Sequence, residues 1–297
     1  IDELPFRGGD AALTVAGTVA GWDEAHRFSR EHLGGRLPLD RLLADAIAYA
    51  EQGCAVTASQ AQATADKASE LRHQPGFADA FLPGGQAPAA GSVFPQSKLA
   101  ATLRRLAEHG LDDFYRGELA EGIAQDLSDA GSSLRLEDLH AYSARWVEPL
   151  AIELEAGTVY NTPLPTQGVA SQMILGLMER LGVRNQDPDS PEYVHRVVEA
   201  TKLAFQVRNA VVTDPAHAKK APESCLEPTF LDQLAARFDP EAALPWPLPA
   251  DAGDTVWLGA IDAQGRAVSF IQSLYHEFGS GVVLPETKFS RLPGTDG

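Results

Sequence analysis

Asp254 and Thr255 stand at the head of the segment GDTVWLGAIDAQGRAVSFIQSLYHEFGSGVV, residues 253–283, where two apolar runs flank a polar turn. A threonine at the first position of a strand becomes a nucleophile if the peptide bond before it is cut. The freed α-amine then sits on the nucleophile's own residue and titrates at about 7.7–8.0, near enough to neutrality to take the hydroxyl proton. Such chemistry requires no histidine, metal or organic cofactor. The eight histidines of the chain form no recognisable catalytic or metal-binding spacing. The dipeptide alone carries a plainer meaning as well, because threonine favours strands and aspartate favours loops.

The elements that would position Thr255 follow from the same segment. TVWLGAID and AVSFIQSLY are apolar on nearly both faces, which predicts strands sandwiched between layers. Ala263-Gln264-Gly265 forms a three-residue closure with glycine at the left-handed position, and it sets Asp262 opposite Arg266. Counting outward from that pair puts Thr255 opposite Ser273. It also puts Trp257, Gly259 and Ile261 opposite Ile271, Ser269 and Ala267. A loop one residue longer would break this register. The pair could equally be an ordinary cross-strand threonine–serine contact.

Composition excludes some classes of function. The chain has 297 residues, 44% of them hydrophobic, and a formal charge of −17, which argues against a nucleic-acid partner. No run reaches the roughly 20 apolar residues of a membrane span. Cys54 and Cys225 lie in no metal or disulfide pattern and read as small core residues. The N-terminus has no signal-peptide pattern and lacks Met, so a processed or truncated product is expected, and the compartment stays open.

Helical periodicity dominates from about 38 to 240. LPLDRLLADAIAYAEQG predicts a helix closed by Gly53, SKLAATLRRLAEHG a helix with Ser97 as N-cap and Gly110 beyond its end, and SPEYVHRVVEATKLAFQVRNAV a helix capped by Ser190 with Pro191 in its first turn. PLAIELEAGTVYNTP predicts a strand pair turning at EAG. Three prolines within 244–250 make that stretch an extended connector. RGGDAA and LPGGQAP lack phosphate-loop spacing and read as loops. His26 and His32 are expected at the surface, and Trp22 and Trp146 as core anchors. Glu199, Lys202 and Arg208 are expected as solvated ion pairs on one helix.

The segment beginning at Thr255 and ending in Phe-Gly-Ser-Gly resembles the γ-glutamyltranspeptidase family of N-terminal nucleophile hydrolases, without gaps over about thirty residues. Thr-Val-Trp in place of that family's Thr-Thr-His is most similar to its branch of γ-glutamyltranspeptidase-like proteins and cephalosporin acylases. VAGTVAGWDEAH, DDFYRGELAEGIAQDL, LEDLHAYSARWVEPL, TPLPTQGVASQMIL and VVEATKLAFQVRNAVVTDP resemble successive blocks of the family in order, so the likeness spans roughly residues 8–287.

The resemblance implies an α/β (α+β) fold, the αββα four-layer sandwich, incomplete in this chain. It implies self-cleavage between Asp254 and Thr255, with Thr255 as nucleophile and Ser273 as a second hydroxyl bonded to it. A helix-rich large-subunit-like part, 1–254, then precedes the start of a small-subunit-like part, 255–297, within one structural domain. The expected substrates are γ-glutamyl amides such as glutathione, by hydrolysis or transpeptidation. A glutaryl-type side-chain acylase is the alternative, and a catalytically inactive truncated member is the alternative from another class. The expected partners are a small acyl-amide substrate and the subunit pair left by cleavage, joined by a further chain or a second copy.

Three departures mark the resemblance. Tyr275 stands where the transpeptidases usually carry a substrate-binding asparagine. The sequence after Thr287 leaves the family pattern, and with it go the oxyanion-hole glycines. The family's N-terminal arginine segment is missing. Oxyanion donors are worth about 2.7–4 kcal/mol apiece, so weak or no activity is expected of this chain by itself.

Overall fold

The structure, a computed structural model, describes residues 4–246 and 256–285. In chain order its elements are α1 (Thr18–His32), α2 (Leu39–Gln52), β1 (Cys54–Ala55), α3 (Ala58–Leu71), α4 (Phe77–Phe81), β2 (Val93–Phe94), α5 (Ser97–His109), α6 (Asp113–Arg116), α7 (Glu118–Asp129) and α8 (Leu136–Ala141). These are followed by β3 (Leu150–Leu154), β4 (Gly157–Asn161), α9 (Gly168–Arg180), α10 (Pro191–Val211), α11 (Pro228–Ala235), β5 (Val256–Ile261) and β6 (Ala267–Gln272). The class is α+β, as the sequence indicates. Contacts divide the chain into two compact units. Residues 4–144 and 256–285 belong to the first, and 145–246 to the second.

In the first unit, α5 aims Ala100, Leu103 and Leu106 along one stripe, the spacing an amphipathic helix requires. Ala100 and Leu103 meet Ile47 and Ala50 of α2. Leu106 joins a larger core with Phe114, Ile123, Leu127 and Leu139, which also takes in Val282 and Leu284 from beyond the last strand. Burying a leucine such as Leu127 contributes about 1.5–3 kcal/mol. Gly76 makes the approach of the 282–284 segment possible: its φ is +70°, and a Cβ there would sit 2.0 Å from the Val283 carbonyl oxygen. The Val283 N–H donates to the Pro75 carbonyl at 2.9 Å across the same contact.

In the second unit, β3 and β4 form the hairpin expected at EAG, with Leu150 opposite Asn161 and Leu154 opposite Gly157. Its buried residues Leu150 and Ile152 pack with Val169, Met173 and Leu177 of α9 and with Leu203 of α10. Ser190 caps α10 by accepting the Tyr193 N–H at 3.1 Å, with Pro191 behind it, as the sequence predicts.

Several local expectations are corrected. Ser97 is the first helical residue of α5, and Gln96, at φ −130° and ψ 67°, is the N-cap without a side-chain bond. Trp146 is 66% exposed rather than a core anchor, whereas Trp22 packs against the first unit's core. Cys225 is buried, but Cys54 is exposed on the two-residue strand β1, both of whose residues face solvent. Glu199 is fully buried with Lys202 against it, so that pair is no solvated bridge; the backbone of residue 244 covers it.

The β5–β6 hairpin differs most from expectation. It was read as sandwiched between layers, yet among the described residues the sheets are two-stranded and separate. Val256, Trp257, Leu258, Ile261, Val268 and Ile271 are all exposed. Its tip is tied to the first unit by Arg266, which donates to the Leu33 carbonyl at 2.9 Å.

Candidate functional site: the hairpin and the turn that follows it

The antiparallel ladder runs without a bulge from Ile261 opposite Ala267 to Val256 opposite Gln272. Gly265 takes φ +79° and its N–H reaches the Asp262 carbonyl at 3.0 Å, which closes the predicted three-residue loop. Asp262 accepts the Arg266 backbone N–H at 2.9 Å and its Nε at 2.5 Å, and these bonds hold its carboxyl below the usual range. The opposite charges seen in the sequence therefore meet across the turn. Trp257 donates Nε1–H to Ser269 Oγ at 2.9 Å, so the two lie on one face, as the register requires. Asp254 and Thr255 lie outside the described residues.

Ser273 is the first residue past β6, and its Oγ accepts the Tyr275 backbone N–H at 2.9 Å. Tyr275 and, three residues on, Phe278 take left-handed backbone conformations, with φ of 67° and 61°. For residues with a bulky Cβ such conformations cost on the order of 1–3 kcal/mol each and persist only where the surroundings over-determine them.

The surroundings here are specific. The Phe278 ring packs edge-on against Phe77 and Phe81, with centroids 5.2 and 4.9 Å away. The Gly8 N–H donates to the Ser280 carbonyl at 2.8 Å. Arg7, 12% exposed in its side chain, donates Nη1–H to the Glu277 carbonyl at 2.8 Å and also to the Gly279 carbonyl, while Nε–H bonds Glu70 at 2.6 Å. Burial pushes the Glu70 carboxyl up, but the Arg7 bond and the charges of Arg7 and Lys67 outweigh it and hold the group below its ordinary value. His276 is stacked edge-on between Tyr275 and Phe6, at 4.5 and 5.2 Å, and its Nε2 is buried without a hydrogen-bond partner. Tyr275 itself remains 42% exposed.

Two of the expected site residues, Ser273 and Tyr275, are thus joined in one turn at the mouth of the hairpin. Sequence reasoning missed Arg7, placed in a glycine-rich loop, and nothing in FRGGDAAL signals a partner more than 260 residues away. No group of three potential metal ligands occurs among the described residues, and no helix among them is long and apolar enough to cross a membrane.

The described geometry is a hairpin followed by a serine-capped turn on an α+β scaffold. The family model for gamma-glutamyltranspeptidase matches residues 2–290, and the chain belongs to that family. The chain is 54% identical, over 96% of its own length and 53% of the relative's, to the oxamate amidohydrolase proenzyme of Klebsiella pneumoniae subsp. pneumoniae. It is 33% identical to the glutathione hydrolase proenzyme of Pseudomonas aeruginosa, over 97% of the chain and 51% of the relative. The crystal structure of cephalosporin acylase from Bacillus halodurans superposes with a TM-score of 0.84 at 34% identity, covering 97% of this chain and 53% of that one. The fold is accordingly that of the N-terminal nucleophile hydrolases, and the chain spans about half the length of the curated relatives it matches.

Proposed function

We propose that the chain carries the nucleophile of a self-processing threonine amidohydrolase. The observation that carries this reading is the ladder from Ile261–Ala267 to Val256–Gln272, which keeps the register that the sequence count extends to Thr255 and Ser273. In processing, the Thr255 hydroxyl attacks the Asp254 carbonyl, the peptide C–N bond breaks as an ester forms and the Thr255 amine is released, and water hydrolyses that ester to free the Thr255 hydroxyl and the Asp254 carboxylate. In turnover, that amine accepts the hydroxyl proton while the oxygen attacks the substrate amide. The leaving amine or ammonia takes the proton, and water resolves the acyl ester. Ser273 serves as the second hydroxyl beside the nucleophile. Processing would divide the chain into the 1–254 and 255–297 parts, which remain a pair.

For the acyl group, the relative named as an oxamate amidohydrolase, at 54% identity, supports a small amide of that kind, hydrolysed to oxalate and ammonia. Tyr275 supports the same departure, since it replaces the asparagine expected to hold a γ-glutamyl amine. A γ-glutamyl amide is the second reading, favoured by the relative named as a glutathione hydrolase. A glutaryl-type side-chain acylase is the third, favoured by the likeness to a cephalosporin acylase.

The test is ammonia release from oxamate, and anilide release from a γ-glutamyl anilide, by the full-length protein and its Thr255→Ser and Thr255→Ala variants. The reading expects residual turnover of one substrate with serine and none with alanine. Equal turnover by wild type and Thr255→Ala would refute it.

A further inference from the structure

Arg7 reaches across the first unit to a stretch of chain it has no local reason to meet. Its guanidinium brackets Phe278, bonding the carbonyls of Glu277 and Gly279, one on each side. These carbonyls belong to a turn without regular secondary structure, so no strand or helix ladder supplies them with partners. The planar fork of arginine can serve two such acceptors at once while Nε–H holds a third group, here Glu70, in a fixed direction. Lys67 adds a second cation to the cluster, 3.7 Å from Glu70 and 3.8 Å from Glu277. At the other end of the turn the Ser273 hydroxyl fixes the Tyr275 N–H. The left-handed backbone at Tyr275 and Phe278 therefore lies between two anchors, Ser273 and Arg7.

We infer that Arg7 is a positioning residue, which acts through the 277–279 backbone to hold Tyr275 and Ser273 in the arrangement that receives the acyl group. The inference rests on the proposed threonine chemistry, because it takes the turn at 273–279 as the wall of that site. Arg7 touches no reacting atom in this account. Its removal leaves two carbonyls to find other donors and lets the turn relax from its left-handed form, which withdraws Tyr275 from the bound acyl group. The nucleophile and its base are untouched, so binding suffers more than chemistry. Lysine can reach only part of the set, since its ammonium is a single point charge without the fork.

The experiment compares wild type, Arg7→Ala, Arg7→Lys and Glu70→Gln in the full-length protein, on whichever of oxamate and γ-glutamyl anilide the wild type turns over. Self-cleavage before Thr255 is read by mass and the thermal midpoint by calorimetry. The expected result is normal cleavage in all four. KM should rise at least tenfold in Arg7→Ala, less in Arg7→Lys and least in Glu70→Gln, with kcat within threefold of wild type. Guanidinium ion at tens of millimolar should lower the KM of Arg7→Ala and leave that of wild type unchanged. An unchanged KM in Arg7→Ala, with cleavage and turnover intact, overturns the inference alone. So does a joint collapse of kcat, KM and thermal midpoint without guanidinium rescue, which would mark a merely structural residue. A wild type not cut before Thr255 overturns the threonine chemistry and this inference with it.

Discussion

Val256 lies directly opposite Gln272 at the open end of the hairpin, in a ladder unbroken back to the turn. Ser273 follows at once, with its hydroxyl already accepting the Tyr275 N–H. Replacing Ser273 with alanine removes that cap together with the hydroxyl proposed to face the nucleophile. A hydrogen bond of this kind contributes about 0.5–1.5 kcal/mol, and about 1.4 kcal/mol corresponds to a tenfold change in rate. Amidase turnover by Ser273→Ala should fall about tenfold, while Ser273→Thr keeps most of it. Full activity in Ser273→Ala would separate Ser273 from the site.

Tyr275 occupies a conformation that asparagine tolerates better and that a β-branched residue tolerates worst. Tyr275→Asn should leave the thermal midpoint unchanged or raise it, whereas Tyr275→Val should destabilise the protein by about 1–2 kcal/mol. Denaturant titration of the two variants checks the order. Equal stability would mean that the turn relaxes freely.

Arg105 grips Asp113 with both arms, Nε to Oδ2 at 2.6 Å and Nη2 to Oδ1 at 3.0 Å, and Asp113 is 8% exposed in its side chain. The Arg105 hydrogen bond, against a smaller opposing effect of burial, holds the Asp113 carboxyl below its ordinary value. A depressed carboxyl stabilises the fold above the unfolded pKa of about 3.9 and loses that contribution as pH falls through the lower folded value. Acid titration of stability should therefore steepen below about pH 4 in the wild type. The Asp113→Asn variant should start about 1.5–3 kcal/mol lower at neutral pH and show a flatter acid limb. Parallel acid limbs would contradict the assignment.

Trp257 and Ile271 sit opposite one another, 64% and 61% exposed, on a two-stranded ribbon with apolar side chains on both faces. Isolated hairpins of this kind are marginal, and uncovered strand edges invite pairing with other chains. The 297-residue chain alone should self-associate or bind a hydrophobic dye, and Ile261→Lys with Ile271→Lys should reduce both. Sedimentation or small-angle scattering that found a compact, dye-free monomer would show that the hairpin needs no cover.

The hairpin was legible because its register depends only on a local closure, Ala263-Gln264-Gly265, which side-chain type and glycine geometry dictate. The α10 entry at Ser190-Pro191 was legible for the same reason. Burial was much less legible. The apolar runs of β5 and β6 announce strands meant to be covered, but a pattern in one segment cannot say which chain supplies the cover. Glu199 and Lys202 had the spacing of a solvated pair. Only the fold shows α10 buried there, with Leu244 donating its N–H to Glu199 and accepting from Lys202. Arg7 was invisible for a different reason: its partners at 277 and 279 are backbone carbonyls, which leave no trace in residue type. Asp254 and Thr255 remain readings of the sequence, supported by the register at Val256 and by membership of the family.

The central claim is that Thr255 is a nucleophile freed by cutting its own chain, and the mass of the products tests it most directly. Intact-mass and N-terminal analysis of the purified full-length protein should find two fragments, the shorter beginning at Thr255. The Thr255→Ala variant should stay a single chain under the same conditions. An uncut wild type, a cut at any other bond, or normal scission in Thr255→Ala would contradict the account.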